Sequence, residues 1–308
     1  MTAMGDTVVL VPYDEGIEAL GTVPGVTPVR YDPDGPLPAE AASAQVLVPP
    51  FLASTQVVRL VERLPELRLV QLLTAGAENW IGRLPAHVAL SDCRGAHGGA
   101  TAEWIVAVLL AVYRELPGFV RSQDAREWDQ HFTEELAGKR VLLVGAGDLA
   151  ENTARRLAPF DVATTLVGRR PRDGVRGIDE VHTLLPDHDA TVLMVPQTDA
   201  TRGLVDARFL AAMPDGALLV NAARGPVVDT DALVAELQTG RLRAALDVTD
   251  PEPLPADHPL WTAPGLLLTP HVGGSVPGGR DRAFAIVAEQ IGAFARGVDP
   301  PNLVVDGY

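Results

Sequence analysis

One cysteine, Cys93, stands among 308 residues, so no disulfide can close within the chain. That usage fits a reducing compartment, and a cytoplasmic location is expected. Aromatic residues are scarce at 5%, so Leu, Val and Ala must fill the core. Basic residues are also few: 25 Lys and Arg against 40 Asp and Glu leave a net charge of −15. A field of that sign repels polyanions, and nucleic acid is not expected as a partner. No run reaches the roughly 18 apolar residues of a spanning helix, so no membrane partner is expected either. The longest apolar run, Ile105 to Tyr113, is bounded by Glu103 and Arg114 and reads as a buried helix. Met1 to Leu10 lacks a basic segment leading into a long apolar one, so no signal peptide is expected. No His, Cys, Asp or Glu spacing suggests a metal.

What is present fits a globular enzyme-sized chain. Hydrophobic residues make up 47% and charged residues 21%, enough for a real core. At roughly 100–200 residues per domain, two domains are expected. Strand-like runs at Val8 to Val11, Gln45 to Val48, Leu69 to Leu73 and Val88 to Leu90 alternate with loop and with a helical spacing over Thr55 to Leu64. This is a small α/β unit. A long helix from Thr101 to Leu116 follows, ended by Pro117-Gly118, and then a polar stretch, Arg121 to Lys139, containing Trp128. The α/β rhythm then restarts. Strands are expected at Arg140–Val144, Val162–Val167, Thr191–Val195, Ala217–Val220, Ala244–Val248 and Leu266–Thr269, with helices between them. Six such strands make a doubly wound parallel sheet. A last helix runs from Val276 to Arg296, and the tail Asn302 to Tyr308 follows.

The sharpest local signal is Gly145-Ala146-Gly147-Asp148-Leu149-Ala150, which follows a strand and opens a helix. It matches the G-x-G-x-x-G/A dinucleotide fingerprint in the context that motif needs. Gly145 permits the tight turn, Gly147 lets a pyrophosphate approach the backbone, and the helix N-terminus favours its charge. An acid should stand about 20 residues on, to bind the adenine ribose hydroxyls. The chain instead reads Gly168-Arg169-Arg170-Pro171-Arg172. A missing anion beside Arg169 and Arg170 suits a 2′-phosphate, which favours NADP(H), with NAD(H) as second choice.

Three later strand ends carry polar groups: Asn221 to Gly225, Asp247 to Pro253, and Thr269 to Ser275. In doubly wound sheets the ligand lies at the carboxyl ends of the strands, so all three can face one crevice. Reducing a carbonyl needs a cation to orient and polarise it, which Arg224 can supply. It also needs an acid for the oxygen, and His271 belongs to the residue type that titrates near neutrality. Glu252 can fix the imidazole ring.

These residues resemble the D-isomer-specific 2-hydroxyacid dehydrogenase family, in particular its glyoxylate and hydroxypyruvate reductases. The likeness rests on Asn-x-x-Arg-Gly at Asn221 to Gly225, Asp247-Val248 followed by Glu252-Pro253, Thr269-Pro270-His271, Thr74-Ala75-Gly76-Ala77, and Ala102-Glu103. It covers nearly the whole chain. It implies that Arg224, Glu252 and His271 are the catalytic set, and that Ala75 and Gly76 join Arg224 and His271 around the substrate. The implied dinucleotide surface comprises Thr101, Gly145, Gly147, Asp148, Leu149, Arg169, Arg170, Pro196, Thr201, Ala222, Ala223, Arg224, Asp247, His271, Gly273 and Gly274. It further implies a Rossmann-type domain over 98–275, inserted into a smaller flavodoxin-like substrate domain made of 1–97 and 276–308. A cleft between the lobes and a homodimer, built through the cofactor domains and the helix from Thr101, follow from the same likeness. The implied substrate is a small 2-oxo or 2-hydroxy acid.

Some positions depart from the family pattern. Asp148 replaces a basic or small residue, so its side chain is expected to face solvent. The family's bulky substrate-side residues are poorly matched around Pro49 to Ala53. His97 reads as a hinge histidine in a Gly-rich stretch, and Trp128 as packing beneath the linker. Two other readings compete. One is a non-catalytic, dinucleotide-binding regulatory protein of the same fold, against which the intact Arg224, Glu252 and His271 argue. The other is a formate- or phosphite-oxidising relative; formate-oxidising members carry Gln where this chain has Glu252.

Overall fold

The computed structural model describes residues 6–51 and 55–305. The chain divides into two compact units, Met1–His97 with Pro277–Tyr308, and Gly98–Val276. The sequence reading placed the second crossing between 275 and 276; the contacts place it between Val276 and Pro277. Gly5 and the residues before it, Leu52 and Ala53 of the Pro49 to Ala53 stretch, and the end of the tail from Asp306 lie outside the described residues.

The first unit opens with β1 (Thr7–Val11), α1 (Asp14–Leu20), β2 (Val26–Arg30), β3 (Ala44–Leu47), β4 (Leu69–Gln71) and β5 (Ala89–Ser91). The second unit holds α2 (Gly98–Tyr113), α3 (Leu116–Ala125), β6 (Arg140–Val144), α4 (Asp148–Leu157), β7 (Ala163–Gly168), β8 (Val175–Gly177), α5 (Val181–Leu184) and β9 (Ala190–Leu193). It continues with α6 (Ala207–Ala212), β10 (Leu218–Asn221), α7 (Thr230–Gln238), β11 (Arg243–Leu246) and β12 (Leu266–Leu268). The chain then returns to the first unit as α8 (Gly279–Ala295).

The first unit is a five-stranded parallel sheet in the order β2-β1-β3-β4-β5, the flavodoxin-like arrangement. Its strands are Val- and Leu-rich because both faces are covered. One face packs Leu10, Leu47, Val70 and Trp80 together. The other packs Val9, Val11 and Val46 against Phe284, Val287 and Ile291 of α8, all without solvent exposure. Burying each such side chain stabilises the fold by roughly 1.5–3 kcal/mol, which explains why α8 belongs to this unit although it closes the chain.

The second unit is a seven-stranded parallel sheet in the order β12-β11-β10-β9-β6-β7-β8. Counted from β6, that is the 3-2-1-4-5-6 Rossmann order with one strand added beyond the sixth. Its core also lies on both faces, with Ile105, Leu109 and Tyr113 of α2 on one side and Phe209, Leu233 and Leu237 on the other.

Three local expectations are corrected. The sheet has seven strands, not six, because β8 has three residues with only Val175 and Gly177 buried, too short for a periodic signal. Thr55–Arg63 winds as 3-10 turns instead of an α-helix, although Leu60, Val61 and Leu64 are buried as the spacing required. Pro117 does not end α2; it lies in the first turn of α3, where its missing N–H costs nothing. The break is at Glu115, in the left-handed region with φ 51°.

Candidate functional site

Because the strands of the second unit are parallel, the turns after β6, β7, β9, β10, β11 and β12 open on one edge of the sheet. Nearly every polar signal singled out in this unit sits on that edge. The Ala75-Gly76 turn, which follows β4, belongs to the first unit.

The fingerprint turn begins at Gly145, whose φ of 130° excludes ordinary side chains. A Cβ there would also lie 2.7 Å from the Met194 carbonyl oxygen. The Gly145 N–H donates to the Val167 carbonyl at 2.8 Å, tying the turn to β7. Gly147 precedes α4, no side chain caps that helix, and a Cβ on Gly147 would meet nothing within 4 Å. An open helix N-terminus with clear space beside its backbone fits a dinucleotide pyrophosphate. Asp148 is exposed and turned along the helix. Its Oδ1 accepts from Asn152 Nδ2 at 2.9 Å, and its Oδ2 fills the space a Cβ on Gly98 would take, at the start of α2. Thr101 lies in the first turn of α2 and Leu149 in that of α4. Arg169 and Arg170 follow the end of β7 and are exposed. After β9, Thr201 Oγ1 donates to the Pro196 carbonyl at 2.6 Å and closes that loop on itself.

The loop after β12 is organised by Asp247, which is 4% exposed at the end of β11. Its Oδ1 accepts from Thr269 Oγ1 at 2.6 Å and from the Val272 N–H at 2.9 Å, and its Oδ2 from the Gly273 N–H at 2.8 Å. Its carbonyl accepts from the His271 N–H at 2.7 Å. This net holds His271 at φ 54°, a left-handed conformation that costs a non-glycine residue about 1 kcal/mol or more. Gly274 follows on the same loop.

Glu252 Oε1 lies 2.7 Å from His271 Nδ1. A carboxylate only accepts, so Nδ1 carries the hydrogen of this bond and Nε2 is left for chemistry. The bond holds the Glu252 carboxyl below the ordinary carboxylate range, against the opposing effect of burial, and the nearby Arg224 charge adds to the lowering. Arg224 follows the turn Asn221-Ala222-Ala223. Asn221, 1% exposed, builds that turn, donating from Nδ2 to the Arg224 carbonyl at 3.0 Å and accepting from the Ala223 N–H at 3.0 Å. A Cβ on Gly225 would overlap the Thr249 carbonyl, so glycine alone lets the β10 and β11 loops approach this closely. The approach brings Arg224 towards Glu252. Among the described residues, no group of three or more His, Cys, Asp or Glu side chains is placed to hold a metal.

In the first unit, Thr74 Oγ1 donates to the Gly76 carbonyl at 2.9 Å, and the Cys93 N–H to the Thr74 carbonyl at 2.9 Å. His97 is more than a hinge residue. Its Nε2 donates to the Leu73 carbonyl at 2.8 Å, and its ring packs on Phe51 with centroids 5.2 Å apart. Trp128 does not pack beneath the linker: it is 93% exposed. The organising roles of Asn221 and Thr269 were missed in sequence. Asn at a strand end is a turn signal that could have flagged the first.

The family profile described as "D-isomer specific 2-hydroxyacid dehydrogenase, NAD binding domain" matches residues 106–273. The chain is 37% identical over 218 residues to the glyoxylate reductase of Thermofilum pendens, a stretch that is 67% of this chain and 64% of that protein. That relative is therefore spanned over less than two thirds of its own length. Human glyoxylate reductase/hydroxypyruvate reductase is 30% identical over 315 residues, 94% of each chain. A D-isomer specific 2-hydroxyacid dehydrogenase from Xanthobacter autotrophicus Py2, solved in complex with NADPH and MES, superposes with a TM-score of 0.85 at 29% identity, over 99% of this chain and 100% of that one.

Proposed function

The chain belongs to the D-isomer-specific 2-hydroxyacid dehydrogenase family, and on that premise we propose that it is an NAD(P)-dependent oxidoreductase interconverting a small 2-oxo acid and its D-2-hydroxy acid, with NADP(H) preferred over NAD(H). The observation that carries this reading is the 2.7 Å bond between Glu252 and His271, with Arg224 brought in by the Gly225–Thr249 approach. When bound, the dinucleotide supplies the hydride equivalent that reduces the carbonyl carbon. Arg224 forks onto the substrate and polarises its carbonyl. His271 gives a proton from Nε2 to the developing alkoxide, and in the reverse direction takes it back. Glu252 holds the ring and stabilises its positive form. The backbone of Ala75 and Gly76 receives the substrate carboxylate, which makes the first unit the substrate-binding domain.

The second unit is the dinucleotide-binding domain in this reading. Gly145, Gly147, Asp148 and Leu149 hold the pyrophosphate at the start of α4. Arg169 and Arg170 face the adenosine end. Thr101, Pro196, Thr201, Ala222, Ala223, Asp247, Gly273 and Gly274 line the nicotinamide half with Arg224 and His271. The preference for NADP(H) is supported by Gly168 in place of an acid and by the relative solved with NADPH. Glyoxylate and hydroxypyruvate are the first substrates to test, since the relatives carry those names.

A homodimer is part of the proposal. Leu116, Val120, Trp128 and Phe132, on α3 and the irregular segment after it, are 51%, 57%, 93% and 103% exposed. Large apolar side chains left exposed along one stretch of chain point to an interaction surface, and a second copy is the proposed occupant. The lone buried Cys93 supports a reducing, cytoplasmic setting.

The test is reduced-cofactor absorbance with a panel of 2-oxo acids. The proposal expects turnover of a short 2-oxo acid with NADPH, and a D-configured product from an acid such as hydroxypyruvate whose reduction creates a stereocentre. Tight dinucleotide binding without turnover of any acid would favour the regulatory reading instead.

A further inference from the structure

We infer that His97 is a positioning residue for the substrate: its ring fixes the peptide that opens the Thr74-Ala75-Gly76 turn, and so the aim of the backbone that receives the substrate carboxylate. This rests on the proposed function and adds to it a side chain outside the catalytic set.

The turn is shaped by the partners of its carbonyl groups. In a trans peptide the C=O and the following N–H point opposite ways. The Leu73 carbonyl accepts from His97 Nε2 at 2.8 Å, the Thr74 carbonyl from the Cys93 N–H at 2.9 Å, and the Gly76 carbonyl from Thr74 Oγ1 at 2.9 Å. The first two bonds draw the carbonyls towards the chain that follows β5, so the N–H groups of Thr74 and Ala75 point away from it. Leu73 is buried and Ala75 exposed, so the chain leaves the core at this turn. Of these three donors, His97 is the one side chain that comes from outside the turn.

The imidazole is itself held. Asp92, a buried residue, accepts through Oδ1 from the Arg94 N–H at 3.0 Å and from Arg94 Nε at 3.2 Å. Gly95 takes φ 94°, and the Ala96 N–H donates to the Cys93 carbonyl at 3.2 Å. This tight turn delivers the ring to Leu73. The ring packs on Phe51, whose N–H donates to the Tyr13 hydroxyl at 3.2 Å. The loops after β1, β3, β4 and β5 are thereby joined around one imidazole. A carbonyl only accepts, so Nε2 carries the hydrogen, and Nδ1 of the neutral ring is an acceptor. Nδ1 is buried without a partner, which is a cost. An apolar side chain of the same shape would avoid that cost if packing were all the position required. What the imidazole adds is the Nε2–H on the Leu73 carbonyl.

The experiment follows kcat, KM for the best 2-oxo acid and the Kd of NADPH in the wild type, His97→Phe and His97→Gln. Phenylalanine keeps a ring without a donor, and glutamine keeps an N–H at about the reach of Nε2. A carboxylate held equally in ground state and transition state affects KM alone. His97→Phe is therefore expected to raise KM about tenfold, the worth of one charge-assisted hydrogen bond, with kcat and the NADPH Kd within about threefold of wild type. His97→Gln should recover most of that loss. A second measurement needs no variant: the His97 ring nitrogen resonances of the ¹⁵N-labelled wild type should shift when NADPH and the D-2-hydroxy acid product, an unreactive pair, are added to saturation. A wild type that reduces no 2-oxo acid would overturn the proposed function, and this inference with it. With an active wild type, an unchanged KM in His97→Phe, or unmoved ring resonances, would overturn the inference alone. Parallel losses in KM, kcat and NADPH affinity would do the same, because they would mark His97 as a brace of the fold.

Discussion

Glu252 carries two duties, and they separate by pH. Its carboxyl is held below the ordinary value of 4.5, chiefly by the hydrogen bond from His271. A carboxyl lowered in the folded state stabilises the fold above its ordinary value, and that contribution is lost as pH falls through the lowered one. Wild type should therefore be more stable than Glu252→Gln at pH 7, and the gap should close in acid, as read from denaturant unfolding at pH 7 and pH 3. A gap that persists unchanged at pH 3 would contradict the ionic part of this bond. On activity, Glu252→Gln should lower kcat about 10- to 100-fold, with a smaller effect on dinucleotide affinity. The identity of this pair was legible in sequence, but its contact was not. Glu252 and His271 are 19 residues apart, and they meet only because β11 and β12 are neighbours in the sheet.

At the scale of elements, the strands were legible because a buried parallel sheet writes itself as Val and Leu runs, and β6 falls on its expected bounds. The segments that escaped lack such a record. The hairpin at Arg172 is made by two backbone bonds and a left-handed Gly174, and α3 buries no side chain. What steadies the segment after α3 is partly ionic. His131 stacks on Phe119 with centroids 4.9 Å apart and bonds Asp129 at 3.1 Å and Glu115 at 3.2 Å. Those carboxylates, Asp129 first, raise its pKa above the ordinary 6.5. A histidine raised in the folded state contributes fully below its ordinary value, and the contribution fades as pH climbs through the raised one. Amide protection factors for 127–135 should therefore fall between pH 6 and pH 9 in the wild type and stay level in His131→Gln. The same fall in the variant would remove His131 from the account.

For the whole molecule, the family and the α/β class follow from patterns visible in the chain, whereas the strand orders come from the structure and the surface was misjudged. Trp128 read as a packing residue because tryptophan usually is one; within the described chain it is 93% exposed. A second copy would reconcile the two. Light scattering of the wild type should give twice the 32.6 kDa chain mass, and a double Trp128→Ser, Phe132→Ser variant should give the mass of one chain. A wild type that runs as a single chain would refute the dimer.

The central claim is that His271 moves the proton for 2-oxo acid reduction, and single-turnover kinetics of His271→Asn, loaded with NADPH and mixed with the best 2-oxo acid of the panel, tests it most directly. The account predicts that reduction slows by about 10²–10⁴-fold while NADPH still binds with near wild-type affinity. Reduction at a near wild-type rate would contradict it.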